Sequence, residues 1–247
     1  MELSRFYCNP ITKPDVSLDP SQGRHLACVM RLKAGEKVEL FDGSGGLAEA
    51  QIKSAGTNKV VLQVEEIQTV PRPFSSQIVI AASIAKGERF DWLISKCTEL
   101  GVDRICPVLF DRTVKQPKNP KICQRWERLI IEAAKQCRRL YLPQIDVPAP
   151  LTEVLKTLKK DYPHGRFMFG CLSARSRPLA GGGFSGSDAV AFVGTEGGMT
   201  AQEESLLLKN GFMPVRLTET TLRIETAAIA FAAVLAAQRI AGNMETI

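Results

Sequence analysis

The 247 residues predict an α/β chain in two parts, a small β-rich unit followed by a mainly parallel sheet covered by helices on both faces. Three observations carry this. From Gln77 onward, nearly continuous apolar runs alternate with segments of helical spacing, which is how buried parallel strands and their crossover helices read. Before that point, residues 1–72 hold short alternating runs divided by glycine-rich turns. Between the two lies Pro71-Arg72-Pro73, an X-Pro joint that disfavours helix on both sides. The boundary is therefore set there, giving units 1–72 and 73–247.

In the first unit, His25 to Leu32 reads as a short helix, with Gly35 in the loop after it. Lys37-Val38-Glu39-Leu40-Phe41 alternates, Asp42-Gly43-Ser44-Gly45-Gly46 makes a turn, and Leu47 to Ile52 returns as the partner strand. Val60 to Val64 is a third strand. In the second unit, Ile78 to Ile84 is a buried strand. Phe90, Leu93, Ile94, Cys97 and Leu100 follow at helical spacing, and Gly101 stops that helix. Arg104–Leu109 is a strand, Ile122–Leu140 a basic helix, and Gly181-Gly182-Gly183 a flexible loop. Later strands are Phe167–Phe169, Ala189–Val193 and Pro214–Leu217. An Ala-rich helix runs to about Ala241, and such small residues suit close packing.

Composition narrows the function. The net charge is +6, a weak pointer to a polyanionic partner. From Asp103 to Arg139 there are ten Lys/Arg against four Asp/Glu, 10 − 4 = +6, so one segment accounts for the whole excess. It is either a nucleic-acid track or a solvated helix face. Seven cysteines contain no C-x-x-C pair, and their odd number opposes a closed disulfide framework; free thiols in the cytoplasm are expected. With two histidines, neither in a supporting motif, no metal site or Ser-His-Asp triad is expected. The start lacks an apolar run behind a basic segment, so no signal peptide is read. The longest apolar stretch, Ala227–Ala237, is short of the roughly 20 residues that span a bilayer, so no membrane partner is expected.

Two segments carry chemistry. Val193 ends a strand, Gly194-Thr195-Glu196-Gly197-Gly198 turns, and Thr200 with Glu203 forms a capping box that starts a helix ending near Gly211. A glycine-rich turn at the carboxyl end of a strand is where open α/β sheets bind ligands, although it can also be a purely structural turn. The Walker lysine and G-x-G-x-x-G are absent. The second segment, Leu217-Thr218-Glu219-Thr220-Thr221-Leu222-Arg223-Ile224-Glu225-Thr226-Ala227, leads from a strand into the Ala-rich helix. Arg223 and Glu225 there are either functional or an internal ion pair holding the loop.

Several stretches, in order, resemble one family: Arg5-Phe6-Tyr7, His25-Leu26, Val29-Met30-Arg31, Phe41-Asp42-Gly43, Lys86 to Trp92, Lys96-Cys97-Thr98-Glu99-Leu100-Gly101-Val102, Arg125-Trp126, Glu132 to Cys137, and the two C-terminal segments. The chain resembles the RsmE family, 16S rRNA uridine-N3 methyltransferases of the SPOUT class. Two departures stand out. Thr195 replaces the usual proline, which makes the turn less rigid, and Thr218-Glu219-Thr220 replaces Gly-Pro-Arg, removing a positive charge and adding a negative one.

The resemblance implies a trefoil-knotted SPOUT domain after a PUA-like β-barrel, a homodimer, and S-adenosylmethionine as cofactor. It implies that Gly194, Glu196 and Gly198 form one wall of the cofactor site and Leu217, Thr218, Leu222, Arg223, Ile224 and Ala227 the other, with Leu172 contributing. The reaction would be methylation of a uridine N3 in the decoding region of 16S rRNA on the small ribosomal subunit. Its N3 proton must leave, so a base or an anion-stabilising cation is required; Arg223 suits the second role and Glu225 the first. Arg5, Arg24, Arg31, Arg112, Lys135 and Arg138 would contact phosphates. The rivals are another SPOUT methyltransferase, acting on ribose or a tRNA base, and an rRNA-binding assembly factor with weakened catalysis.

Overall fold

The computed structural model describes residues 3–56, 59–114, 121–174, 176–179 and 186–244. The expected Gly181-Gly182-Gly183 loop lies outside them. The chain divides into two compact units, Met1–Pro73 with Ala134–Leu142, and Phe74–Ala133 with Pro143–Ile247.

The first unit contains β1 (Arg5–Tyr7), β2 (Asp15–Ser17), the helix α1 (Pro20–Arg24), β3 (Lys37–Phe41), β4 (Gly46–Ala55), β5 (Val60–Val64) and β6 (Gln68–Thr69). Its sheet runs β1-β3-β4-β5-β2, with β6 on β4. Among the described residues of this sheet, only β1 and β3 pair in parallel. The β3–β4 turn closes on Asp42, whose Oδ1 accepts from the amides of Ser44 and Gly46 at 2.7 and 2.8 Å. Gly43 and Gly45 take φ of 80° and 104°, which only glycine adopts easily. Phe6, Leu26, Val38, Leu40, Ile52 and Leu62 fill the core.

The helix expected over His25–Leu32 is shifted. It starts at Pro20, where Asp19 caps the amide of Ser21 at 2.8 Å and proline suits the first turn. The chain then widens into one π turn, His25–Val29, with the Met30 amide bonding the His25 carbonyl at 2.9 Å. Arg31, at φ 56°, ends it by turning left-handed, which costs an L residue about 1–2 kcal/mol.

The second unit contains β7 (Ile78–Ser83), α2 (Arg89–Glu99), β8 (Arg104–Leu109), α3 (Lys121–Cys137), β9 (Gln144–Ile145), β10 (Ala149–Pro150), α4 (Leu151–Asp161), β11 (Arg166–Gly170), β12 (Arg177–Pro178), β13 (Ala189–Val193), α5 (Ala201–Lys209), β14 (Met213–Arg216) and α6 (Ile224–Met244). The last residues of α3 cluster with the first unit. The sheet order is β10-β8-β7-β13-β11-β14-β12, with β9 on β8. Every pairing is parallel. Strand side chains alternate between the two faces. Val79, Ala81, Val190, Phe192, Phe167 and Phe169 meet Leu155 and Leu158 of α4 and Leu207 of α5. On the sheet α6 packs against β7 and β13, and α2 packs against α6. The strands β7 and β13 are buried throughout, as continuous apolar runs require.

At 21 residues α6 is longer than its uninterrupted apolar run, and by length and composition alone it could cross a membrane. Here Ala228, Phe231, Ala232 and Leu235 are buried as part of the core. Near the helix end Arg239 pairs with Asp103 at 2.7 Å and donates to the Gly101 carbonyl at 2.9 Å.

Candidate active site

The carboxyl ends of β11, β13 and β14 lie side by side, and the chain leaving each lines one cavity of about 380 Å³. Gly170, Cys171 and Leu172 come from the first, Val193 through Met199 from the second, and Val215 through Thr218 from the third. Glu204, Thr220, Thr221, Leu222, Ile224, Ala227 and Phe231 complete it. The volume is within the roughly 300–1,000 Å³ of small-molecule sites, and the position follows the rule for open parallel sheets.

The glycine turn is shaped by its own backbone. A Cβ on Gly194 would stand 2.8 Å from Cγ of Met199, so the chain passes too close for a side chain. Gly198 has φ 76°. Thr195 donates its hydroxyl to the Gly198 carbonyl at 2.7 Å, and the Gly198 amide returns to the Thr195 carbonyl at 2.9 Å. The hydroxyl thus closes the loop at the position where the resemblance leads one to expect a proline ring. Thr200 and Glu203 form the expected capping box, and Oε1 of Glu203 also accepts from the Asp111 amide at 2.8 Å. Arg112 donates to the Gly197 carbonyl at 2.6 Å and supports the turn from outside.

Of the residues expected at the cofactor site, Leu172, Gly194, Glu196, Gly198, Leu217, Thr218, Leu222, Ile224 and Ala227 all line this cavity. Arg223 does not. It is exposed and lines a neighbouring concavity of about 410 Å³ with Arg89, Glu196, Thr221 and Leu222. Glu196, Thr221 and Leu222 line both spaces. Glu225 lines neither; it is 4% exposed, and its Oε2 has no hydrogen bond among the described residues. Its Oε1 lies 3.9 Å from Nη1 of Arg89, which also binds Glu196. The internal pair weighed for Arg223 and Glu225 is thus made by Arg89 instead.

Sequence reasoning missed Arg89 as a site residue. It lies in the Lys86–Trp92 stretch that carries the resemblance, but its place at the start of α2, far along the chain from Glu196 and Glu225, gave no sign of these partners. Met199, next to the glycine turn, and Glu204 and Phe231, on α5 and α6, were also missed as lining residues.

The basic residues divide. Arg24 and Arg31 are exposed. Arg5 is turned inward, its side chain 6% exposed, bound to Glu39 and lying over the Phe41 ring. The β1–β3 register sets Arg5 opposite Glu39, which removes it from the surface available to phosphate. Arg138 shares that carboxylate at 2.9 Å, and the Lys135 ammonium lies 5.6 Å from the Phe6 ring centre.

Residues 72–236 match the family model of the RNA methyltransferase domain, and residues 18–65 match the RNA methyltransferase PUA domain. The Ribosomal RNA small subunit methyltransferase E of Synechocystis is 34% identical over 88% of this chain and 71% of its own length. The chain belongs to this methyltransferase E family. Among solved structures, the Neisseria gonorrhoeae methyltransferase E bound to S-adenosylmethionine superposes with a TM-score of 0.83, at 28% identity over 97% of this chain and 98% of that one. A Legionella pneumophila protein solved with bound SAM gives 0.86, at 28% identity over 96% and 98%. In this methyltransferase E member, the α/β sheet domain carries the cavity and the PUA match falls in the first unit.

Proposed function

We propose that the protein methylates N3 of one uridine in the decoding region of 16S rRNA, on the small ribosomal subunit, with S-adenosylmethionine as donor. The observation that carries this is the pair of spaces sharing Glu196, Thr221 and Leu222, one bounded by the glycine turn, the other bearing Arg223. The residues fit the cofactor. Val193, Leu222, Ile224, Ala227 and Phe231 suit a purine, the turn at 194–198 offers backbone groups, and Glu196 and Glu204 suit a cation. When bound, S-adenosylmethionine supplies an electrophilic methyl group on a sulfonium.

The chain's own residues must handle the uridine. A neutral N3 carries a proton and is a poor nucleophile, so negative charge has to develop on the uracil as the proton leaves. Arg223, exposed in the concavity, stabilises that charge. Glu225 is assigned as the proton acceptor, reached through one water or a shift of Arg89. A buried carboxylate oxygen without a donor is costly and calls for a partner. Arg24, Arg31, Arg112, Lys135 and Arg138 hold phosphates, which gives affinity without reading sequence. The trefoil threading belongs to the same proposal, supported by β13 lying between β7 and β11 with β14 beyond. So do a cytoplasmic location, where small subunits are made, and a homodimer. The dimer is supported by Ala233, Ala237 and Ile240, exposed on one side of α6.

A second reading, an rRNA-binding factor with weakened catalysis, draws on one observation: Glu219 is exposed beside the cavity, in a loop held by Thr218 and Thr220 hydroxyls 3.2 Å apart. The test is transfer of tritiated methyl from S-adenosylmethionine to small subunits taken from cells lacking this activity. Label in 16S rRNA is expected. Cofactor binding without label favours the second reading, and no binding at millimolar cofactor overturns the assignment of the cavity.

A further inference from the structure

The first unit exposes a feature that the reaction does not use. Around the π turn His25–Val29, Leu26 is fully buried and His25 stacks edge-on to Phe6 at 6.1 Å, which anchors the turn. The next residues point out. Val29 is 66% and Met30 41% exposed, adjacent apolar side chains on the surface. Arg24 and Arg31 are exposed on either side of them in sequence, and Cys28 is exposed as well. Arg31 is held left-handed at φ 56° immediately after Met30. A π turn and a left-handed non-glycine residue in succession are uncommon, and such irregularities concentrate at functional positions.

We propose that Val29 and Met30 form an apolar wedge that packs against exposed nucleobases of the substrate RNA, while Arg24 and Arg31 clamp the phosphates around it. This rests on the reading of the protein as an rRNA methyltransferase and names the surface by which the first unit grips that substrate. The occupant is chosen by charge and shape. An apolar pair alone would suit a protein groove, but one bracketed by two exposed guanidiniums suits a chain of bases strung on phosphates. Apolar side chains inserted at base steps hold nucleic acid in this way, and the flanking cations set the register. The π turn supplies the geometry. Val29 closes the turn and Met30 follows it, both exposed, before the left-handed stop at Arg31, while Leu26 keeps the base of the turn in the core.

Four measurements test it. Cys28 is exposed and directly precedes the wedge, so its alkylation by iodoacetamide, followed by mass spectrometry on the wild-type protein, should slow severalfold when small subunits are added. The Val29→Ser/Met30→Ser variant should raise KM for small subunits at least about tenfold, the scale of unburying one such side chain, with kcat and cofactor affinity unchanged. Arg31→Gln should lower the slope of log affinity against log salt by about one. With subunits carrying 4-thiouridine, irradiation should place an rRNA adduct on the peptide His25–Arg31. Unchanged Cys28 reactivity on the subunit, or rRNA adducts that fall elsewhere on the protein and not on His25–Arg31, overturns the wedge. Absence of methyl transfer by the wild-type protein would overturn the functional reading instead, so the two failures are distinct.

Discussion

Arg89 is the residue that ties the site together. One guanidinium reaches Glu196 on the glycine turn and Glu225 in the first turn of α6, so it joins the two chain segments that flank the cofactor cavity. Arg89→Met leaves a buried carboxylate without a counter-charge; denaturation should show a loss of about 1–3 kcal/mol. Arg223 is expected to behave differently, since it is exposed and braces nothing among the described residues. Arg223→Ala should cut methyl transfer by roughly 100-fold or more, the scale of losing one oxyanion donor, with cofactor affinity and stability unchanged. Full activity in that variant would remove Arg223 from the chemistry. A third residue reports on the core. Cys97, on the face of α2 that is wholly buried, has its thiol pushed up to about 12 by desolvation, from an ordinary value of 9.0. The folded state therefore keeps the proton while the unfolded state loses it. The stabilisation is complete below pH 9 and is lost as pH rises toward 12, at about 1.4 kcal/mol per pH unit. The difference in stability between wild type and Cys97→Ala should follow that slope and be flat below pH 9.

At the scale of elements, the turn between β13 and α5 shows what local sequence can and cannot announce. A strand ending at Val193, glycines after it and a capping box at Thr200 and Glu203 are all short-range signals, and the structure places each where they indicate. The close approach of Gly194 to Met199 makes Gly194→Ala a sharp test: cofactor affinity should fall at least about tenfold as the turn shifts, read by calorimetry. The π turn was not legible, because its start signal at Asp19-Pro20 precedes the apolar pattern and its end depends on one left-handed residue. The short edge strands β9, β10 and β12, two residues each, carry no periodicity. The inward turn of Arg5 was hidden for another reason: an arginine reads as surface until the strand register sets a carboxylate opposite it. The ion pairs at Arg89 likewise join residues that only the tertiary fold brings together.

For the molecule as a whole, the parallel sheet was readable from strand-helix alternation, while the order of its strands was not. Placing β13 between β7 and β11 is a crossover that no local pattern encodes, and it is what gathers three strand ends around one cavity. The proposed homodimer belongs at this scale. Ala233, Ala237 and Ile240 share one exposed side of α6, and Ala233→Arg/Ala237→Arg should convert a dimer to a monomer in sedimentation, with methyl transfer lost if the pairing supports the site. The central claim is the position of the methyl group. Small subunits from cells lacking this activity, treated with the protein and S-adenosylmethionine, can have their 16S rRNA digested and mapped by mass spectrometry. The account predicts one new methyl group, on the base of a single uridine at N3. A methyl group on a ribose 2′-oxygen, or on no nucleotide while the cofactor is bound, would contradict it.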